Sequence, residues 1–190
     1  MNFNKHYNLE GKHAFLGASK YSWLNYDGDK LRDAYYSQQA RYRGTQLHEF
    51  AKQCIDLGIK LPNSKKTLNM FVNDAIGYRM KSEQILYYSD NCFGTADAIG
   101  YSERNKKLRI HDLKTGETPA SMKQLYIYTG LFCLEYAMDP HQLDIELRIY
   151  QYDDMDICVP EVTDILLVMQ KMRDFDLILD EMKEEDMKWQ

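Results

Sequence analysis

The chain has 190 residues, 44% of them hydrophobic, which suffices for one domain with a genuine apolar core. Its net charge of −5 does not advertise nucleic-acid binding, although local potential rather than total charge governs a phosphate site. No apolar run is long enough to span a bilayer, and the polar start lacks a signal-peptide stretch, so a soluble cytoplasmic protein is expected.

In chain order, a turn-prone Asp27-Gly28-Asp29 leads into helical pattern expected over 30–41 and again over 45–57, with Gly58 as the stop of the second helix. Pro62 and Asn63 mark a loop. Leu68, Phe71, Val72, Ala75 and Ile76 fall at helical spacing and predict a helix to about residue 80. The period then changes. Residues 85–88, 95–101 and 108–113 read as three strands, the last two joined by a polar stretch, 102–106, suited to a hairpin. Pro119 opens a helix to about residue 136. Residues 144–152 alternate as a fourth strand, with Ile145, Leu147 and Ile149 on one face. Pro160 precedes a last helix striped by Ile165, Val168, Met169, Met172 and Phe175. This order predicts an α/β (α+β) domain, a sheet flanked by helices.

Cys54, Cys92, Cys133 and Cys158 are scattered, with no CxxC pair, so spacing signals neither zinc nor an iron–sulfur cluster; they read as small core residues. Basic residues gather at Arg41 and Arg43, at Lys65 and Lys66, and from Arg104 to Arg109. The acidic run from Asp174 to Asp186 reads as a solvated helix face.

Two acidic residues sit in otherwise apolar strands: Asp97 in Gly94-Thr95-Ala96-Asp97-Ala98-Ile99-Gly100, and Asp112 in Ile110-His111-Asp112-Leu113-Lys114. Asp112 and Lys114 are two apart and share a strand face. A hairpin can set Asp97 beside Asp112. Two adjacent carboxylates repel unless a cation lies between them or one takes a proton. Hard oxygens suit magnesium or manganese, and a lysine beside them can hold a water or steady negative charge on a phosphoryl group. Phosphodiester hydrolysis needs this set of parts. An Asp112–Lys114 surface salt bridge is the plainer alternative, and the apolar strand context weighs against it.

Asp97 followed by Asp112-Leu113-Lys114 resembles the catalytic signature of the PD-(D/E)XK nuclease superfamily. Gln124-Leu125-Tyr126-Ile127-Tyr128 resembles the QxxxY motif of its RecB-like exonuclease group, and Gly44-Thr45-Gln46-Leu47-His48 resembles that group's GxxxH helix. The opening stretch, 19–49, is similar to small phage-encoded members. The resemblance spans about 44–152, with helical additions at both ends of a single domain. Ala96 stands where the superfamily's name has proline. The resemblance implies a restriction-endonuclease-like core in helix-strand-strand-strand-helix-strand order.

The same resemblance implies a Mg²⁺- or Mn²⁺-dependent deoxyribonuclease, in phage DNA recombination or processing. His48, Asp97, Asp112 and the Leu113 carbonyl would hold the metal. Lys114 would position water or stabilise charge, and Gln124 and Tyr128 would contact DNA or orient Lys114. The cysteines do not fit the iron–sulfur arrangement of some relatives, so no cluster is expected. DNA is the expected partner, with a separate single-strand annealing or recombination protein beside it; ring-forming relatives point to a homo-oligomer. Two other readings stay open: a nuclease-fold DNA-binding or assembly subunit with little catalysis, and a structure- or site-specific endonuclease. Among neighbours of the motifs, Glu49 is expected to be as readily solvated as engaged, and His111 to pack on the opposite strand face. Thr115, Gly116 and Lys123 are further candidates for backbone phosphate contacts.

Overall fold

A computed structural model of the chain describes residues 4–188. The chain divides into two compact units, 1–43 and 44–190. In the first, short 3-10 turns at Tyr7–Leu9 and Ala18–Asn25 precede the start of a long helix, α1, Gly28–Leu57. Asp27 starts that helix by accepting a hydrogen bond from the Lys30 amide at 2.8 Å. No described residue before Gly44 is buried, so this unit has no apolar core of its own.

The second unit holds the rest of α1, then α2 (Thr67–Gly77), β1 (Lys81–Ser89), β2 (Cys92–Ser102), β3 (Lys107–Leu113), α3 (Lys123–Glu135), β4 (Asp144–Gln151), β5 (Asp154–Cys158) and α4 (Val162–Lys188). The sheet is open and mixed, in the order β1-β2-β3-β4-β5. Antiparallel hairpins join β1 to β2, β2 to β3 and β4 to β5, while α3 carries the chain across to make β4 parallel to β3. The fold is therefore α+β, a five-stranded mixed sheet flanked by helices.

Alternation sorts the strand residues into two cores. Ile145, Leu147 and Ile149 of β4 join Leu108 and Ile110 against Leu125, Leu131 and Phe132 of α3, with Ile165 and Met169 of α4 behind. On the other face, Ala98, Leu113 and Tyr150 pack with Ala51, Cys54 and Ile55 of α1 and Phe71, Val72 and Ala75 of α2. Cys54 and Cys133 are buried, Cys92 and Cys158 half-buried, and all four are free thiols.

Three expectations need correction. The two helices expected over 30–41 and 45–57 are one helix, because an interior Gly44 costs only about 1 kcal/mol and is flanked by good helix formers. The helix expected from Pro119 begins at Lys123, since residues 114–122 form a loop pinned by Gln151, whose amide donates to the Gly116 and Thr118 carbonyls and accepts from the Ala120 N–H. A fifth strand, β5, was not expected. Its turn, Tyr152-Asp153, has φ of +56° at both residues, the geometry of a two-residue hairpin, without the usual glycine or asparagine signal. Gly58, with φ +66°, ends α1 as expected.

Candidate metal centre

The site is built across three strands. In the β2–β3 ladder the last pair is Ala98–His111, and Asp97 and Asp112 lie one residue beyond it on the two strands. In the β1–β2 ladder Ser82 pairs with Ala98 and Gln84 with Ala96, which leaves Glu83 opposite Asp97. Glu83, Asp97 and Asp112 thus form one row across the sheet. At Glu83 the regular pairing lapses and φ is +46°, a left-handed conformation that costs a non-glycine residue of the order of 1 kcal/mol or more.

Asp97 is held from two sides. Its Oδ2 accepts the Leu113 N–H at 2.8 Å, and its Oδ1 lies 3.5 Å from His48 Nδ1. His48 reaches the row from α1, where Gly44, His48, Ala51 and Ile55 share one face. One ligand atom each from His48, Glu83 and Asp97 lies within 4.8 Å of the others. Asp112 is only 1% exposed. Its Oδ1 accepts from Lys114 Nζ at 3.1 Å; its Oδ2 lies 2.9 Å from the same ammonium but has no hydrogen bond of acceptable geometry. A buried carboxylate oxygen without a hydrogen-bond donor is costly, and a cation would relieve it.

The electrostatics follow from this crowding. Burial, then the charge of Asp97, pushes the Asp112 carboxyl above its ordinary range. Burial and the same Asp97 charge raise Glu83. The hydrogen bond that His48 makes to the Asp97 carboxylate raises its pKa, against the opposing effect of burial. The Asp97 charge acts in the same direction on all three, as in a pocket that favours a positive charge.

Lys114 is fixed by a relay. Its Nζ donates to Gln124 Oε1 at 2.7 Å, and Gln124 Nε2 donates to the Tyr128 hydroxyl at 2.9 Å. Gln124 and Tyr128 lie one turn apart on α3. Beyond Lys114, a cavity of about 480 Å³ is lined by Leu113, Lys114, Thr115 and Gly116 with Leu47, Thr67 and Tyr152.

The remaining candidates fall elsewhere. Glu49 is exposed and accepts a hydrogen bond from Gln53. Lys123 lines an apolar groove between α3 and α4, beside Ile127 and Phe175. His111 is fully buried on the opposite face and packs on Tyr78 and Tyr150. Leu113 meets the site through its amide, and its side chain is buried in the α1–α2 core. Sequence reasoning missed Glu83. Counting the hairpin back from its two-residue turn, Asp90-Asn91, sets Gln84 opposite Asp97; the register shift between Tyr87 and Ser89, which the sequence does not signal, brings Glu83 there instead.

Among the described residues no helix is long and apolar enough to cross a membrane. Comparison with family models, with curated proteins and with solved structures finds no match for this chain.

Proposed function

We propose that the chain is a divalent-cation-dependent deoxyribonuclease of the PD-(D/E)XK superfamily, RecB-like group, acting as an exonuclease in phage DNA recombination or processing. The observation that carries the reading is the row Glu83–Asp97–Asp112, one carboxylate per strand, with Lys114 at its end. The element order supports a restriction-endonuclease-like core: a helix, three antiparallel strands, a helix, and a strand parallel to the third.

The residues fit a hard cation. Asp112 presents a buried oxygen without a hydrogen bond, and His48, Glu83 and Asp97 converge on one point. Those four side chains would hold Mg²⁺ or Mn²⁺. Such an ion neutralises phosphoryl oxygens and makes water a better nucleophile at neutral pH. The chain does the rest. Lys114, held by Gln124, presents its ammonium to the phosphate or the attacking water. The cavity beside Lys114 and Thr115 gives a strand room to enter. Binding through phosphates makes the affinity salt-sensitive and largely independent of sequence. The partners proposed are DNA, a separate annealing or recombination protein, and further copies of the chain.

The test is degradation of linear and closed-circular DNA with Mg²⁺, Mn²⁺ or EDTA. The expected result is metal-dependent loss of linear DNA, intact circles, and no activity in Asp112→Ala. Cut circles would assign an endonuclease instead. DNA binding with no degradation under any metal would assign a non-catalytic subunit.

A further inference from the structure

We propose that Gly44 is a positioning residue of the metal centre: its bare Cα lets the helix that carries His48 close on the strand end that carries Asp112 and Lys114. This rests on the functional reading above and adds a residue to it. Gly44 is buried in the interior of α1, where a glycine weakens the helix and alanine would be preferred. Its φ does not require glycine. The reason lies in what it faces. A Cβ on Gly44 would stand 2.8 Å from Thr115 Oγ1, closer than real Cβ contacts come, and 4.0 Å from Thr115 Cβ, an ordinary contact. A side chain at position 44 therefore requires either this hydroxyl or the helix itself to move.

That contact joins the two halves of the site. Thr115 directly follows Lys114 and lies three residues after Asp112. His48 is one turn along α1 from Gly44 and on the same face, and it meets Asp97 at 3.5 Å. A methyl group at 44 must push α1 from the β3 end by some tenths of an ångström unless the Thr115 hydroxyl turns away, and the proposal is that the helix moves. Metal centres tolerate about 0.2 Å in ligand position, so a shift of α1, which carries His48, reaches the ion.

The experiment compares the wild type, Gly44→Ala, Thr115→Ala and the double variant by thermal melting across a Mn²⁺ titration, since a ligand of the folded state raises the melting temperature by an amount set by its concentration relative to its dissociation constant. Gly44→Ala is expected to need at least fivefold more Mn²⁺ for the same rise, while its metal-free melting holds near the wild-type value. Thr115→Ala is expected to respond like the wild type. The double variant is expected to recover that response, because removing Oγ1 removes the collision. If Gly44→Ala fails to fold, the double variant decides: a wild-type Mn²⁺ response supports the proposal and a lost response overturns it. A wild-type response in Gly44→Ala, or no recovery in the double variant, overturns the role of Gly44 alone. No Mn²⁺ response in the wild type overturns both this role and the functional reading beneath it.

Discussion

Glu83 lies opposite Asp97 between the Ser82–Ala98 and Gln84–Ala96 pairs of the β1–β2 ladder, at a step where regular pairing lapses and the backbone turns to φ +46°. A strained residue held beside a carboxylate row is what a site, rather than a sheet, would select. Two substitutions separate charge from strain. Glu83→Gln keeps the backbone cost and removes the charge; Glu83→Gly removes both. Both are expected to weaken Mn²⁺ binding about tenfold, as loss of a group that holds or orients a metal does. Urea denaturation should find the glycine variant more stable than the glutamine variant by about 1 kcal/mol. The reverse order would show that the backbone at 83 is relaxed in solution.

Gln124 and Tyr128 act on Lys114 in sequence, so their removal should cost unequal amounts. Gln124→Ala takes away the 2.7 Å partner of the ammonium. It is expected to lower single-turnover cleavage about 100-fold with little change in DNA affinity, the cost of misplacing a reacting group. Tyr128→Phe removes only the second link and should cost severalfold. Equal losses, or losses confined to DNA affinity, would place the two residues on the nucleic acid instead.

His48 carries a pH signature. Its hydrogen bond to the Asp97 carboxylate raises its pKa above the ordinary 6.5. A protonated imidazole cannot ligate, so metal affinity should fall as pH drops through that raised value and level off above it. Metal titrations between pH 6 and 9 should show this limb in the wild type and a flatter one in His48→Asn.

His111 governs stability in acid instead. Burial, aided by the Arg148 charge, lowers it to about 3. Tyr150 gives its only proton to Asp74, so it must accept from His111 Nδ1, which leaves Nε2 buried without a partner. The unfolded chain takes up this proton first. The stability is whole above the unfolded pKa near 6.5 and is lost as pH falls toward 3, by on the order of 4 kcal/mol. His111→Phe should therefore lose less stability than the wild type between pH 6.5 and 4. Parallel curves would refute the buried neutral imidazole.

What the sequence showed, and what it hid, divides along physical lines. Asp97, Asp112 and Lys114 stood out because charges inside apolar, alternating strands break a pattern, and the hairpin between them has polar turn chemistry. Ile145, Leu147 and Ile149 marked β4 by the same alternation. Glu83 was hidden in Lys81-Ser82-Glu83-Gln84, a polar run with no strand signal of its own; pairing with β2 makes it a strand. β5 was hidden likewise, since Asp154 and Asp156 face solvent on an edge and the turn before it lacks glycine. The close approach of Thr115 to Gly44 was hidden too, because local pattern cannot report a contact made 71 residues along the chain.

The whole account turns on a divalent ion gripped by the acidic row. Titration of Mn²⁺ into the wild type and into Asp97→Asn, followed by calorimetry with the fold checked by circular dichroism, tests that directly. The account predicts a saturable site in the wild type and at least a tenfold loss of affinity in the variant. Equal binding by the two proteins, or none by the wild type, would contradict it.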